Sequence, residues 1–200
     1  MLESKFRKFN HLKIHSQFSI CEGAIKIDEL KDKAKDLKIS SIGLCDTSNL
    51  CGAVEFSDKL SKVGTQPIIG TQINFKFEDT TGFLPLYALD LEGYKKIIEL
   101  SSRSYLENSD TSDPHLNIED LLKLETNGIS IFSGTIFGLF GKLFNKGKFI
   151  EIIDLYKKIK NNFSDKFYLE IQRHKDINEI SFEKFNLDKS KKLEIPIIAT

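Results

Sequence analysis

Hydrophobic and polar positions change period several times along this chain, and the changes divide it into strands and helices. "HLKIH" (11–15) alternates and predicts a short strand, with His11, Lys13 and His15 on one side of it. "IDELKDKAKDL" places Ile27, Leu30, Ala34 and Leu37 on one helical face. "SSIGLCD" (40–46) reads as a buried strand, and a helix follows over 53–63. Strands are predicted over 67–75 and 83–89, with Pro85 marking the second as an edge or an irregular strand. A helix over 91–106 precedes a polar loop, "SDTSDP" (109–114), and a short helix over 117–124 capped by Asn117. Strands over 128–134, 166–172 and 195–200 alternate with amphipathic helices over 148–163 and 179–193.

Short apolar strands separated by helical segments predict an α/β fold, a mainly parallel sheet with helices outside that closes towards a barrel. No repeat, low-complexity tract or linker divides the chain, so residues 1–200 read as a single domain. In such folds chemistry sits in the loops after the strands. His15, Asp46, Thr47, Gln72 and His174 all fall near those ends, which predicts a shared cleft.

Composition narrows the function classes. Twenty-nine basic residues balance twenty-nine acidic ones, so no global positive field draws in nucleic acid. Cys21, Cys45 and Cys51 lack CxxC spacing and read as buried free thiols of a reducing compartment. The N-terminal "MLESKFRKFNHL" has no apolar segment, and no run is long enough to span a membrane; a cytoplasmic location is expected. "SGTIFGLFGK" (133–142) is too apolar and irregular for a phosphate loop.

The ordered set "HLKIHSQFSICEGAIKIDEL", "IGLCDTSNLCGAVEF" and "QPIIGTQINF", followed by "GYKKIIELSSRSYLE", "FYLEIQRH" and "IPIIAT", resembles the N-terminal PHP (polymerase and histidinol phosphatase) domain of bacterial DNA polymerase III alpha subunits. The resemblance runs from Phe9 to Thr200. It implies a distorted (β/α)7-type barrel, here truncated before its last elements, whose cleft in active members holds a cluster of metal ions bound by His, Asp, Glu and sometimes Cys. It also implies that polymerase domains follow in a longer parent chain.

Matched position by position, the implied metal site is degenerate. The family's opening His-x-His becomes His11-Leu12-Lys13, and its Asp-Gly becomes Glu22-Gly23. An Asp-His pair becomes Asp46-Thr47, and a Glu becomes Gln72. A His corresponds to Phe83 and a Cys to Thr135. An ammonium offers no lone pair, an amide no charge, and a phenyl ring no donor. Neither catalytic residues nor a bound metal are therefore expected in this domain; any residual ion would fall to His11 and Glu22. Lys13 is expected to take the place of the ions and to neutralise Glu22 and Asp46. The plain reading of His11, His15 and His174 is that of hydrogen-bonded structural residues.

Two function classes remain. In the first, the domain is a non-catalytic scaffold of a replicative DNA polymerase, docking the proofreading exonuclease subunit, contacting the remaining polymerase domains and reaching DNA through the parent enzyme, whose absent polymerase domain uses Mg2+. The alternative is a metal-dependent phosphoesterase or 3′–5′ exonuclease using Zn2+ or Mn2+.

Overall fold

The pattern of apolar strands and amphipathic helices is realised in the computed structural model, which describes residues 9–108 and 113–200. The helices are α1 (Ile27–Asp36), α2 (Ala53–Lys62), α3 (Leu91–Leu106), α4 (Ile118–Leu122), α5 (Leu139–Asn145), α6 (Phe149–Phe163) and α7 (Glu179–Leu193). The strands are β1 (Ser41–Thr47), β2 (Gln66–Phe77), β3 (Thr80–Ala88), β4 (Leu116–Asn117), β5 (Ile129–Phe132), β6 (Phe167–Ile171) and β7 (Ile197–Ala199). They form one curled sheet in the order β1-β2-β3-β5-β6-β7, with β4 beside β2. Pairing is parallel except for β2–β3 and β3–β5.

Several expectations change at this level. "HLKIH" forms no ladder; it touches β1 through a single parallel bridge, Ile14 to Leu44. That approach needs Gly43, where a Cβ would lie 2.1 Å from the Leu12 carbonyl oxygen. β2 and β3 join through a tight turn at Glu78–Asp79, so no helix crosses between them and β3 runs antiparallel. β3 is not an edge strand; Pro85 is tolerated because β5 pairs only with Leu86–Ala88. The irregular "SGTIFGLFGK" stretch folds its second half into α5, whose Leu139, Phe140 and Leu143 are fully buried. Leu37 caps α1 and is exposed, leaving Ile27, Leu30 and Ala34 as the buried face. Of the polar loop expected over 109–114, residues 109–112 lie outside the described residues.

The main core fills the layer between the sheet and helices α3, α5 and α6. Phe75, Leu84, Leu86, Ile131, Phe167 and Leu169 meet Ile97, Leu100, Phe140, Ile152, Tyr156 and Ile159 there. Each such side chain contributes about 1.5–3 kcal/mol by leaving water. A second cluster seats α1 and α2 on β1 through Leu30, Leu44, Phe56 and Leu60. A third and smaller one, Cys45, Tyr87 and Phe132 with Leu12, Tyr168 and Ile198 against it, lies inside the curl of the sheet.

Candidate functional site

A cavity of about 690 Å³ opens at the mouth of the curled sheet. His11, Lys13, His15, Glu22, Gln72, Phe83 and His174 line it, together with Thr135. Topology explains the convergence. Residues 11–15 enter beside the end of β1, while Phe83 reaches the mouth from the start of β3 because β3 runs antiparallel. Asp46 and Thr47 stand at the end of β1 but do not line this cavity; Asp46 is buried on the face of β1 that carries Ile42 and Leu44, towards α1 and α2.

Asp46 is fully engaged. It accepts from the Ser16 N–H (2.7 Å), the Ser16 hydroxyl (2.8 Å) and the Ser19 hydroxyl (2.6 Å). The Ser19 hydroxyl oxygen in turn accepts from the Thr47 N–H at 3.0 Å. This network pins the 16–25 loop to the end of β1, and it requires Gly23, where a Cβ would sit 2.0 Å from the Ser16 carbonyl oxygen. Glu22 is thereby presented to the cavity.

β1 and β2 pair Thr47 with Gln72, which sets up a neutral relay. The Gln72 amide donates to the Thr47 hydroxyl oxygen at 2.8 Å, and the Thr47 hydroxyl donates to Glu22. His15 Nδ1 lies 3.8 Å from the Glu22 carboxylate, beyond hydrogen-bond reach, and is buried without a partner. Burial lowers the His15 pKa below its ordinary 6.5, and the neighbouring Lys13 charge lowers it further.

Lys13 does not serve the acids expected for it. Its ammonium pairs with Glu170 of β6 at 3.3 Å, with the two side chains 8% and 0% exposed. The physical reason is supply: the serine and backbone donors already satisfy Asp46, and Thr47 satisfies Glu22, whereas Glu170 projects from β6 with few donors nearby. The other contact to Glu170 Oε1 comes from the Thr200 hydroxyl at 2.6 Å, and Oε2 has no partner. Sequence reasoning missed Glu170. The available signal was a lone carboxylate inside the apolar strand "FYLEI", which a buried position tolerates only with a cation at hand.

Of the remaining predicted residues, His11 is exposed and its ring stands edge-on to Phe9 at 5.0 Å. The His174 side chain is 67% exposed, 3.9 Å from Glu179. Cys45 alone of the three cysteines is buried, and burial pushes its thiol up to about 12. Cys21 and Cys51 are exposed, contrary to expectation, because both sit in loops flanking β1 rather than on its inner face.

The donor set does not fit a metal cluster. Among the described residues no three His, Cys, Asp or Glu side chains converge in a way that could hold an ion. At the cavity, Lys13 and Gln72 bring N–H donors and Phe83 brings none of either kind. Also among the described residues, no helix is long and apolar enough to cross a membrane.

Comparison with known proteins places this geometry. The DNA polymerase III subunit alpha of Vibrio cholerae is 32% identical over 196 residues, covering 96% of this chain and 17% of the relative. The subunit of the same name from Buchnera aphidicola is 34% identical over 198 residues, with the same coverage, and that from Borreliella burgdorferi is 34% identical over 203 residues. The chain thus spans 17% of the length of the first two relatives. A solved structure of a "putative metal-dependent phosphoesterase" from Bifidobacterium adolescentis shares the fold, with a TM-score of 0.52 at 13% identity, covering 95% of this chain and 85% of its own. A family model of the PHP domain matches residues 11–174, from the first histidine of the cavity to the last, and the chain belongs to that family.

Proposed function

We propose that this chain is a single PHP domain, residues 1–200, at the head of a larger replicative DNA polymerase subunit, and that it acts as a scaffold rather than as a hydrolase. One observation carries the reading: a buried Lys13, ion-paired to Glu170, stands at the cavity beside Gln72 and Phe83, where resemblance to the family calls for metal ligands. Thr47 likewise replaces a ligand with a hydroxyl, committed here to Glu22 and Gln72. Without clustered cations the cavity has no means of activating water or of stabilising a phosphoryl transition state by Lewis-acid chemistry. The relatives named DNA polymerase III subunit alpha support the parent assignment, in which nucleotidyl transfer belongs to Mg2+-dependent domains outside this chain. The domain's contribution is a rigid surface for those domains and for a proofreading exonuclease subunit.

The competing reading is a Zn2+- or Mn2+-dependent phosphoesterase or 3′–5′ exonuclease, built on His11, His15 and Glu22. Hydrolysis of p-nitrophenyl phosphate and single-stranded DNA with added manganese or zinc, coupled to elemental analysis of the purified protein, separates the two. The scaffold reading expects no turnover and no stoichiometric metal. Activity abolished by His11→Ala would establish the enzyme instead.

A further inference from the structure

The curled sheet is not sewn shut by its backbone. At one end, residues 11–16 hold to β1 through Gly43 N–H to His11 O (2.8 Å), Ile14 N–H to Gly43 O (3.2 Å) and Cys45 N–H to Ile14 O (2.8 Å). At the other end, β7 is three residues long and pairs with β6. Among the described residues no backbone hydrogen bond links residues 11–16 to β7. The gap is crossed by the small apolar cluster in which Leu12 and Ile198 pack against Cys45, Tyr87 and Phe132, and by the ion pair between Lys13 and Glu170.

That pair joins the 11–16 segment beside β1 to β6 across 157 positions of sequence. Neither partner has a second charge to pair with; Glu170 Oε1 keeps only the neutral Thr200 hydroxyl at 2.6 Å. Lys13 makes one hydrogen bond, and the second Glu170 oxygen makes none. Losing one partner leaves the other as a buried, uncompensated charge. Lys13 borders the cavity, but the Glu170 side chain is 0% exposed, so a Glu170 stranded by loss of the lysine gains water by opening of the seam. The large core under α3, α5 and α6 contains none of these residues, so opening leaves its packing intact.

We propose that the Lys13–Glu170 ion pair is the latch of this seam, whose rupture lets the two ends of the sheet part and uncovers the interior while the helix-covered core stays folded. The latch does not depend on whether the cavity ever holds an ion.

Cys45 is a built-in reporter, because it sits in the seam cluster at 0% exposure while the other two thiols are exposed. In the full chain carrying Cys21→Ser and Cys51→Ser, alkylation of Cys45 by iodoacetamide measures opening. Lys13→Met is expected to accelerate labelling about 100-fold or more, the scale of an unpaired buried charge. The increase should depend only weakly on urea, and the Leu86 and Ile131 amides should keep their protection from hydrogen exchange. Lys13→Met combined with Glu170→Leu should restore slow labelling, since no charge is stranded. If Lys13→Met does not fold, Glu170→Gln makes the same test from the other side. Unchanged labelling overturns the latch. So does labelling that rises only with the urea dependence of global unfolding, or a failure of both single variants to fold, since the pair would then hold the whole molecule.

Discussion

The layer beneath α3, α5 and α6 and the mouth of the sheet lie within one small domain but are held together differently. In the layer, large apolar side chains such as Phe75, Phe140 and Phe167 are wholly buried and interlock. A buried polar contact there is the Tyr156 hydroxyl donating to Asn186 at 3.0 Å. At the mouth, positions are fixed by individual hydrogen bonds: three to Asp46, one from Thr47 to Glu22, and one between Lys13 and Glu170. Of the four buried polar atoms without partners among the described residues, His15 Nδ1, Tyr87 Oη and Glu170 Oε2 belong to the mouth and the interior behind it. The difference teaches that the fold does not rest on its cavity. Amide, hydroxyl and ammonium groups can occupy the mouth while the apolar layer keeps the sheet curled.

This contrast can be broken most severely from the core. Phe140→Ala removes a fully buried ring, and urea denaturation should show a loss of about 3–5 kcal/mol. A loss well below that range would mean that the layer is less tightly packed than its burial indicates. Next comes the best-satisfied group of the mouth. Asp46→Ala leaves the Ser16 N–H and two hydroxyls without their acceptor, at a cost of about 3 kcal/mol, with Asp46→Asn milder. Equal costs for the two variants would show that the charge, rather than the geometry of the acceptor, matters there.

A smaller effect concerns His15. Its folded pKa lies below 6.5, so between that lowered value and 6.5 the unfolded chain binds more protons than the folded one. Stability should therefore fall as pH drops through 6.5 and level off below the folded pKa. The slope should disappear in His15→Asn, and an NMR titration of the imidazole in Lys13→Met should move its pKa upwards. The smallest expected effect is none: chelation with EDTA should leave the melting temperature unchanged, because no step in holding the mouth together is assigned to a metal. A drop on chelation would remove the distinction between a cavity that holds ions and one that has replaced them.

Period and residue type were enough to read the alternation of strands and helices, the 91–106 helix that α3 reproduces, and, of the five residues expected at one cleft, the meeting of His15, Gln72 and His174, while Asp46 and Thr47 do not line the cavity. Apolar spacing fixes which face of an element is buried, and strand ends collect loops, so these properties are local. The hairpin joining β2 to β3 is local, but its Glu78–Asp79 turn carries no Gly, Pro or Asn to announce it, whereas the folding of 139–145 into α5 and the partner of Lys13 were not local. An apolar stretch is ambiguous between helix and strand until its neighbours are in place. Lys13 and Glu170 are 157 positions apart, and their meeting depends on how far the sheet curls. The sequence by itself determined that Lys13 lies on one side of the chain between His11 and His15. Only the tertiary structure decided which carboxylate it neutralises, because that choice turns on which acids other donors have already satisfied.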